Sequence, residues 1–93
     1  MLSQADHTVE VEFCVPCDLR PQALAVTKEL VDDWSHQLRE IRLLPSSGGR
    51  FEVSLDGELI FSKLRLDRTP EPGEIDRLIR ERIGAPSGAG TEL

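Results

Sequence analysis

No stretch of this 93-residue chain approaches the ~20 consecutive apolar residues that a membrane-spanning helix needs, so no membrane span is expected. The first residues, Met1-Leu2-Ser3-Gln4-Ala5-Asp6, have neither a basic end nor an apolar stretch. They do not read as a signal peptide, and the expected compartment is the cytoplasm. Cysteine is scarce: two residues, three positions apart, are too few and too close for a disulfide-stapled framework. Basic residues are in deficit, 11 against 17 acids, and a net charge of −6 repels a phosphate backbone. That argues against nucleic acid as a partner, and the charge serves solubility. Internal repeats are absent, and no Ser/His/Asp or paired-carboxylate constellation stands out. Ser46-Ser47-Gly48-Gly49 departs from the phosphate-loop pattern, and no lysine follows it. It reads as a mobile turn whose glycines let a partner backbone approach.

The length allows one domain, which buries only ~60–65% of its unfolded surface. Thr8 to Phe13 alternates with period two and predicts a strand with Val9, Val11 and Phe13 on its buried face. Leu19 to Trp34 carries Ala23, Leu24, Leu30, Val31 and Trp34 at helical spacing. Asp18 is a candidate cap, and Pro21 is acceptable in a first turn, where N–H groups lack helical partners. Arg39 to Leu44 predicts a second strand, and Pro45 to Gly49 a loop. Arg50 to Ser54 and Glu58 to Lys63 predict two more strands around Asp56-Gly57. A two-residue turn would put Phe51 and Val53 on one face with Ile60 and Ser62. A three-residue loop, Leu55-Asp56-Gly57, puts them beside Leu59 and Phe61 instead. The latter is the expected register, with Gly57 left-handed in a bulge, because burial sets register.

Thr69-Pro70-Glu71-Pro72 opens a last helix that runs to about Ile83, with Ile75, Leu78, Ile79 and Ile83 as its apolar stripe. Gly84 is the expected stop, with Pro86 beyond it, and Asp76 and Arg80 are spaced for a surface pair. Residues 85–93 are small and polar and predict a disordered tail, leaving 1–84 as the domain. The order β-α-β-β-β-α predicts an α/β (α+β) two-layer sandwich. Its four-stranded mixed sheet would have a parallel, right-handed first β-α-β unit, both helices on one face and water on the other. That is a stripped-down thioredoxin-like topology.

Cys14-Val15-Pro16-Cys17 falls where the first strand ends and the first helix begins. Spacing i, i+3 in a turn brings two sulfurs within bridging reach. The helix N-terminus offers unpaired N–H groups and a positive dipole end, which stabilise a thiolate, the form that attacks in disulfide exchange. Two rival readings stand beside redox chemistry. Zinc usually takes four Cys or His ligands, and here only His7 and His36 are added to the pair, without zinc-finger spacing. Alternatively the thiols are simply small core residues. The topology also predicts that Arg50, Lys63 and the 45–49 loop reach the same sheet edge as the cysteines. There Arg50 and Lys63 would support a thiolate and Asp18 would oppose it. Trp34 is expected in the core and His36 on the surface; Lys63, Arg65 and Arg68 read as a solvated stretch.

Val11-Glu12-Phe13-Cys14-Val15-Pro16-Cys17, Gly49-Arg50-Phe51-Glu52-Val53 and Asp56-Gly57-Glu58-Leu59-Ile60-Phe61-Ser62-Lys63 together resemble the selenoprotein W-related (Rdx; SelT/SelW/SelH) family, over roughly residues 8 to 83. Eukaryotic members carry Cys-x-x-selenocysteine, and Cys17 matches the selenocysteine position. The resemblance implies a cysteine-containing homologue with Cys17 as the reactive residue and Cys14 as its resolving partner. Thioredoxin proper implies the reverse. Its flanking tryptophan and glycine are missing here, and Pro45 lies several residues before the place of its cis-proline. The expectation is thiol–disulfide chemistry without an organic cofactor or metal, with protein thiols or glutathione as partners and an undefined physiological substrate. The alternative is a redox-sensing module that binds a partner protein near the CxxC edge without turnover.

Overall fold

The computed structural model describes residues 6–85. The expectation of a disordered tail over 85–93 lies, apart from Ala85, outside that range. Strand β1 (His7–Cys14) leads into helix α1 (Arg20–Trp34), then β2 (Leu38–Ser46), β3 (Phe51–Leu55), β4 (Glu58–Ser62), a one-turn helix α2 (Lys63–Leu66) and helix α3 (Glu74–Ile83). The strand order is β2-β1-β3-β4, with β1 parallel to β2 and antiparallel to β3, and β3 antiparallel to β4. This is the expected mixed sheet of four strands.

Period-two alternation in β1 and β3 divides the sheet. Val9, Val11, Phe13, Phe51, Val53 and Leu55 are buried together with Ala23, Leu30 and Trp34 of α1 and Ile75 and Ile79 of α3. Each Val, Leu, Ile or Phe among them contributes ~1.5–3 kcal/mol on burial. The opposite face is polar. Glu12 and Glu52 lie directly across from each other, a like-charge pairing. It is relieved by Arg50 Nε at 3.7 Å from Glu12 and by the Leu64 N–H, which donates to Glu52 at 3.2 Å. Trp34 Nε1 donates to Asp76 at 2.7 Å, and Asp76 also accepts from Arg80 at 2.9 Å, so the expected Asp76–Arg80 pair doubles as a lock between α1 and α3. At the other end of β1, Asp56 accepts from the Thr8 N–H (2.8 Å) and His7 Nδ1 (2.7 Å), tying the β3–β4 turn to the strand start.

Several local expectations are corrected. Asp18 does not cap α1. It takes a left-handed φ of 62° to close the turn after Cys17, and Leu19 occupies the cap position with no side-chain bond. Leu24 and Val31 are exposed, at 63% and 49%; the buried stripe of α1 is Ala23, Val26, Leu30 and Trp34. With 100° between successive residues, positions 24 and 31 share a side turned away from the sheet. Pro45 and Ser46 belong to β2 rather than to a loop. β2 is an outer strand, where proline's missing N–H breaks no ladder bond. The β3–β4 connection is the two-residue turn Asp56-Gly57, both left-handed, with Leu55 opposite Glu58. A bulge then shifts the register so that Phe61 pairs with Val53 while Leu59 pairs with Ser54 on the outer face. Ile60 is the extra residue, and both it and Phe61 are buried. Gly57 is left-handed as expected, at φ 86°.

Helix α2 is an addition to the expected order, capped by the Ser62 hydroxyl, which accepts from the Arg65 N–H at 3.2 Å. Helix α3 starts at Glu74, not at Thr69-Pro70, because Pro72 steers Glu71 away from helical backbone and Gly73 turns left-handed at φ 80°. It ends at Gly84, as expected.

Candidate redox site

The last residue of β1 and the turn that leads into α1 hold the cysteine motif. The Cys14 N–H donates to the Arg50 carbonyl at 2.8 Å, and the Val15 N–H to the Ser46 carbonyl at 2.9 Å. β1 therefore stays hydrogen-bonded to both neighbours at the point where it turns. The Asp18 N–H then returns to the Val15 carbonyl (2.9 Å) and the Leu19 N–H to the Cys14 carbonyl (3.3 Å). These bonds wrap the four residues into a tight turn. Cys14 and Cys17 form a disulfide across it, with their Cα atoms 5.3 Å apart.

The two sulfur residues differ in access. Cys14 is 1% exposed and packs in the core cluster beside Phe13 and Leu19, whereas Cys17 lies on the surface. The turn that carries them runs into the N-terminus of the 15-residue α1, whose dipole favours negative charge on that side.

The predicted neighbours do gather at this sheet edge, but through contacts of their own. Arg50 turns its guanidinium to the Ser47 carbonyl (2.8 Å) and Glu12, while its backbone bonds Cys14. Half-buried Lys63 donates to the Gly49 carbonyl at 3.3 Å. Both cations therefore brace the loop that flanks Cys14, and among the described residues neither is hydrogen-bonded to a sulfur. Asp18 is exposed and faces Arg20 at 3.3 Å. Gly48 and Gly49 are both at φ 77°, and a Cβ on Gly48 would meet Arg50 Nη1 at 2.7 Å. Those glycines let the loop curl under the arginine.

An apolar groove of about 290 Å³ opens beside the motif, lined by Phe13, Val15, Arg20, Ala23, Leu24, Leu43 and Pro45. Sequence reasoning missed it by assigning Leu24 to the core. The available signal was an apolar stripe on α1 wider than one sheet face could cover. His7 lies seven strand rises from Cys14, about 23 Å away. His36 sits just before Leu38, the residue registered with His7, so both histidines belong to the far end of the sheet. No cluster of three or more His, Cys, Asp or Glu side chains able to hold a metal occurs among the described residues. No helix among them is long and apolar enough to cross a membrane.

A mixed four-stranded sheet with its long helices on one face, and a CxxC disulfide where the first strand meets the first helix, defines a thioredoxin-like α+β protein. Within that class, the chain belongs to the Rdx family, which it matches over residues 8–81. The crystal structure of a selenoprotein W-related protein from Vibrio cholerae superposes with a TM-score of 0.77 at 24% identity, covering 82% of this chain and 95% of that one. A protein from Bordetella parapertussis gives 0.78 at 21% identity, covering 83% and 98%. These likenesses establish the fold. No curated protein matches the chain.

Proposed function

We propose that this protein is a thiol–disulfide redox protein that cycles Cys14 and Cys17 between disulfide and dithiol. The observation that carries the reading is the asymmetry of the pair: Cys17 is on the surface and Cys14 is sealed behind it. An incoming thiolate has access to Cys17 Sγ alone. Its attack forms a mixed disulfide at Cys17, breaks the Cys14–Cys17 bond and leaves the electron pair on Cys14. In the reverse direction the Cys17 thiolate attacks a partner disulfide. Cys14 then attacks Cys17 Sγ and releases the partner as a thiol. The exchange needs no organic cofactor, and the cytoplasm is the compartment in which such a pair cycles rather than staples.

The partner in this reading is a protein thiol rather than glutathione. The groove beside the motif has apolar walls that suit an apolar side chain next to the partner's cysteine. Glutathione would bring two carboxylates to a wall whose one cation, Arg20, already faces Asp18 at 3.3 Å. Arg50 and Lys63 contribute positive potential to the thiolate end, against Asp18. A second reading, a redox-sensing interaction module, draws on the outer edge of β2, which ends beside the disulfide and is open to strand addition.

Equilibration in glutathione buffers, followed by alkylation and intact mass, tests the proposal. Reversible gain of two alkylated thiols across the range of ordinary cytosolic redox couples is expected. A pair that stays locked in either state throughout would end it. Turnover of a model protein disulfide then separates catalysis from sensing.

A further inference from the structure

Ser46 is the register partner of Cys14 in the parallel β1–β2 ladder, held there by the 2.9 Å bond from the Val15 N–H to its carbonyl. Side chains at one register position on adjacent strands project from the same face. The Ser46 Oγ is buried and has no hydrogen-bond partner. Buried hydroxyls are nearly always paired, so an unpaired one needs a physical reason.

The chemistry of its neighbour changes with redox state. While Cys14 is bonded to Cys17 its sulfur is neutral and a poor acceptor. When a thiolate attacks Cys17, the pair of electrons from the broken bond leaves Cys14 as a thiolate at a residue only 1% exposed. Water cannot solvate charge there, and a buried anion without a donor is strongly disfavoured. We propose that Ser46 is the thiolate-stabilising residue of the site: its hydroxyl, unsatisfied in the disulfide form, donates to Cys14 Sγ once the bond opens. The inference rests on the proposed exchange at Cys17 and deepens it. One hydrogen bond is missing in the oxidised state and present in the reduced state. Ser46 therefore shifts the equilibrium toward dithiol and speeds departure of Cys14.

The test uses the full chain with dithiothreitol as reductant. One thiolate opens the Cys14–Cys17 bond at Cys17, the second resolves the mixed disulfide, and the reagent ends as a cyclic disulfide. Ser46→Ala is expected to lower the dithiol-to-disulfide ratio in a fixed glutathione buffer about tenfold, a shift of ~30 mV for a two-electron couple. It should slow reduction by a similar factor. Ser47→Ala, at the exposed neighbour, should leave both unchanged. Ser46→Val and Ser46→Thr form a second comparison suited to a strand, differing in a methyl against a hydroxyl. Valine should reproduce alanine, and threonine should stay near the parent. Equal potentials for the parent, Ser46→Ala and Ser46→Val would overturn the assignment, as would an equal shift from Ser47→Ala. Those results leave the redox reading standing. A parent protein that does not exchange at all would instead remove the reading beneath it.

Discussion

Cys14 and Cys17 are chemically identical, and position alone separates their roles. Replacing Cys17 with Ser is expected to abolish mixed-disulfide formation, while Cys14→Ser should trap it, because the resolving thiol is gone. Intact mass after exposure to a protein disulfide distinguishes the two; trapping by the Cys17→Ser variant instead would reverse the assignment. Around the pair, replacing Arg50 and Lys63 together with Gln should raise the thiol pKa of the reduced protein, and Asp18→Asn should lower it, read by thiolate absorbance against pH. No movement in either direction would confine all three side chains to a structural role. The motif itself was legible from its place between strand and helix. Which sulfur faces water was not, since that depends on Phe13, Leu19 and the core packed around Cys14.

At the scale of elements, α1 shows how far a stripe can be read. Ala23, Leu30 and Trp34 were identifiable from spacing, but Leu24 and Val31 are equally apolar and face out. Leu24→Ser is expected to change stability by less than about 0.5 kcal/mol, whereas Val26→Ala should cost roughly 1–3 kcal/mol in urea unfolding. Comparable losses would mean that α1 is rotated. Asp76 accepts from both Trp34 and Arg80. Asp76→Ala would leave a partly buried indole N–H unpaired, at about 1–3 kcal/mol. Trp34 is the only tryptophan, so its fluorescence reports directly on this α1–α3 joint. Alternation alone does not give the β3–β4 hairpin, because two irregularities offset each other there. The chain combines a two-residue turn with a bulge, which buries Ile60 and Phe61 together.

For the whole molecule, one acid-sensitive contact holds the start of α3. Buried Glu74 accepts from Arg68 at 2.8 and 2.9 Å and from the Glu71 N–H at 2.9 Å. The Arg68 hydrogen bonds, opposed by burial and aided by that N–H and by nearby arginine charge, hold its carboxyl at about 2, below its usual 4.5. A lowered carboxylate pKa adds stability that is complete above the unfolded value and is lost as pH falls through the folded one. Arg68 is 43% exposed, so solvent screens part of the interaction. Roughly 1–3 kcal/mol should disappear between about pH 5 and 2. Glu74→Gln should flatten that slope in denaturant titrations, and an unchanged slope would place the acid-sensitive group elsewhere.

Local chemistry in the sequence was enough to determine the strand–motif–helix order, the alternation that makes one sheet face apolar, and the Cys-x-x-Cys spacing that permits a bridge. Those features depend on neighbours a few residues apart and on which side chains avoid water. Only the tertiary structure decided that Cys14 is sealed and Cys17 open, that Ser46 lies beside Cys14, and that Leu24 joins a groove instead of the core. Each of these depends on residues distant in sequence meeting at one register, and periodicity within a single segment holds no information about what packs against it.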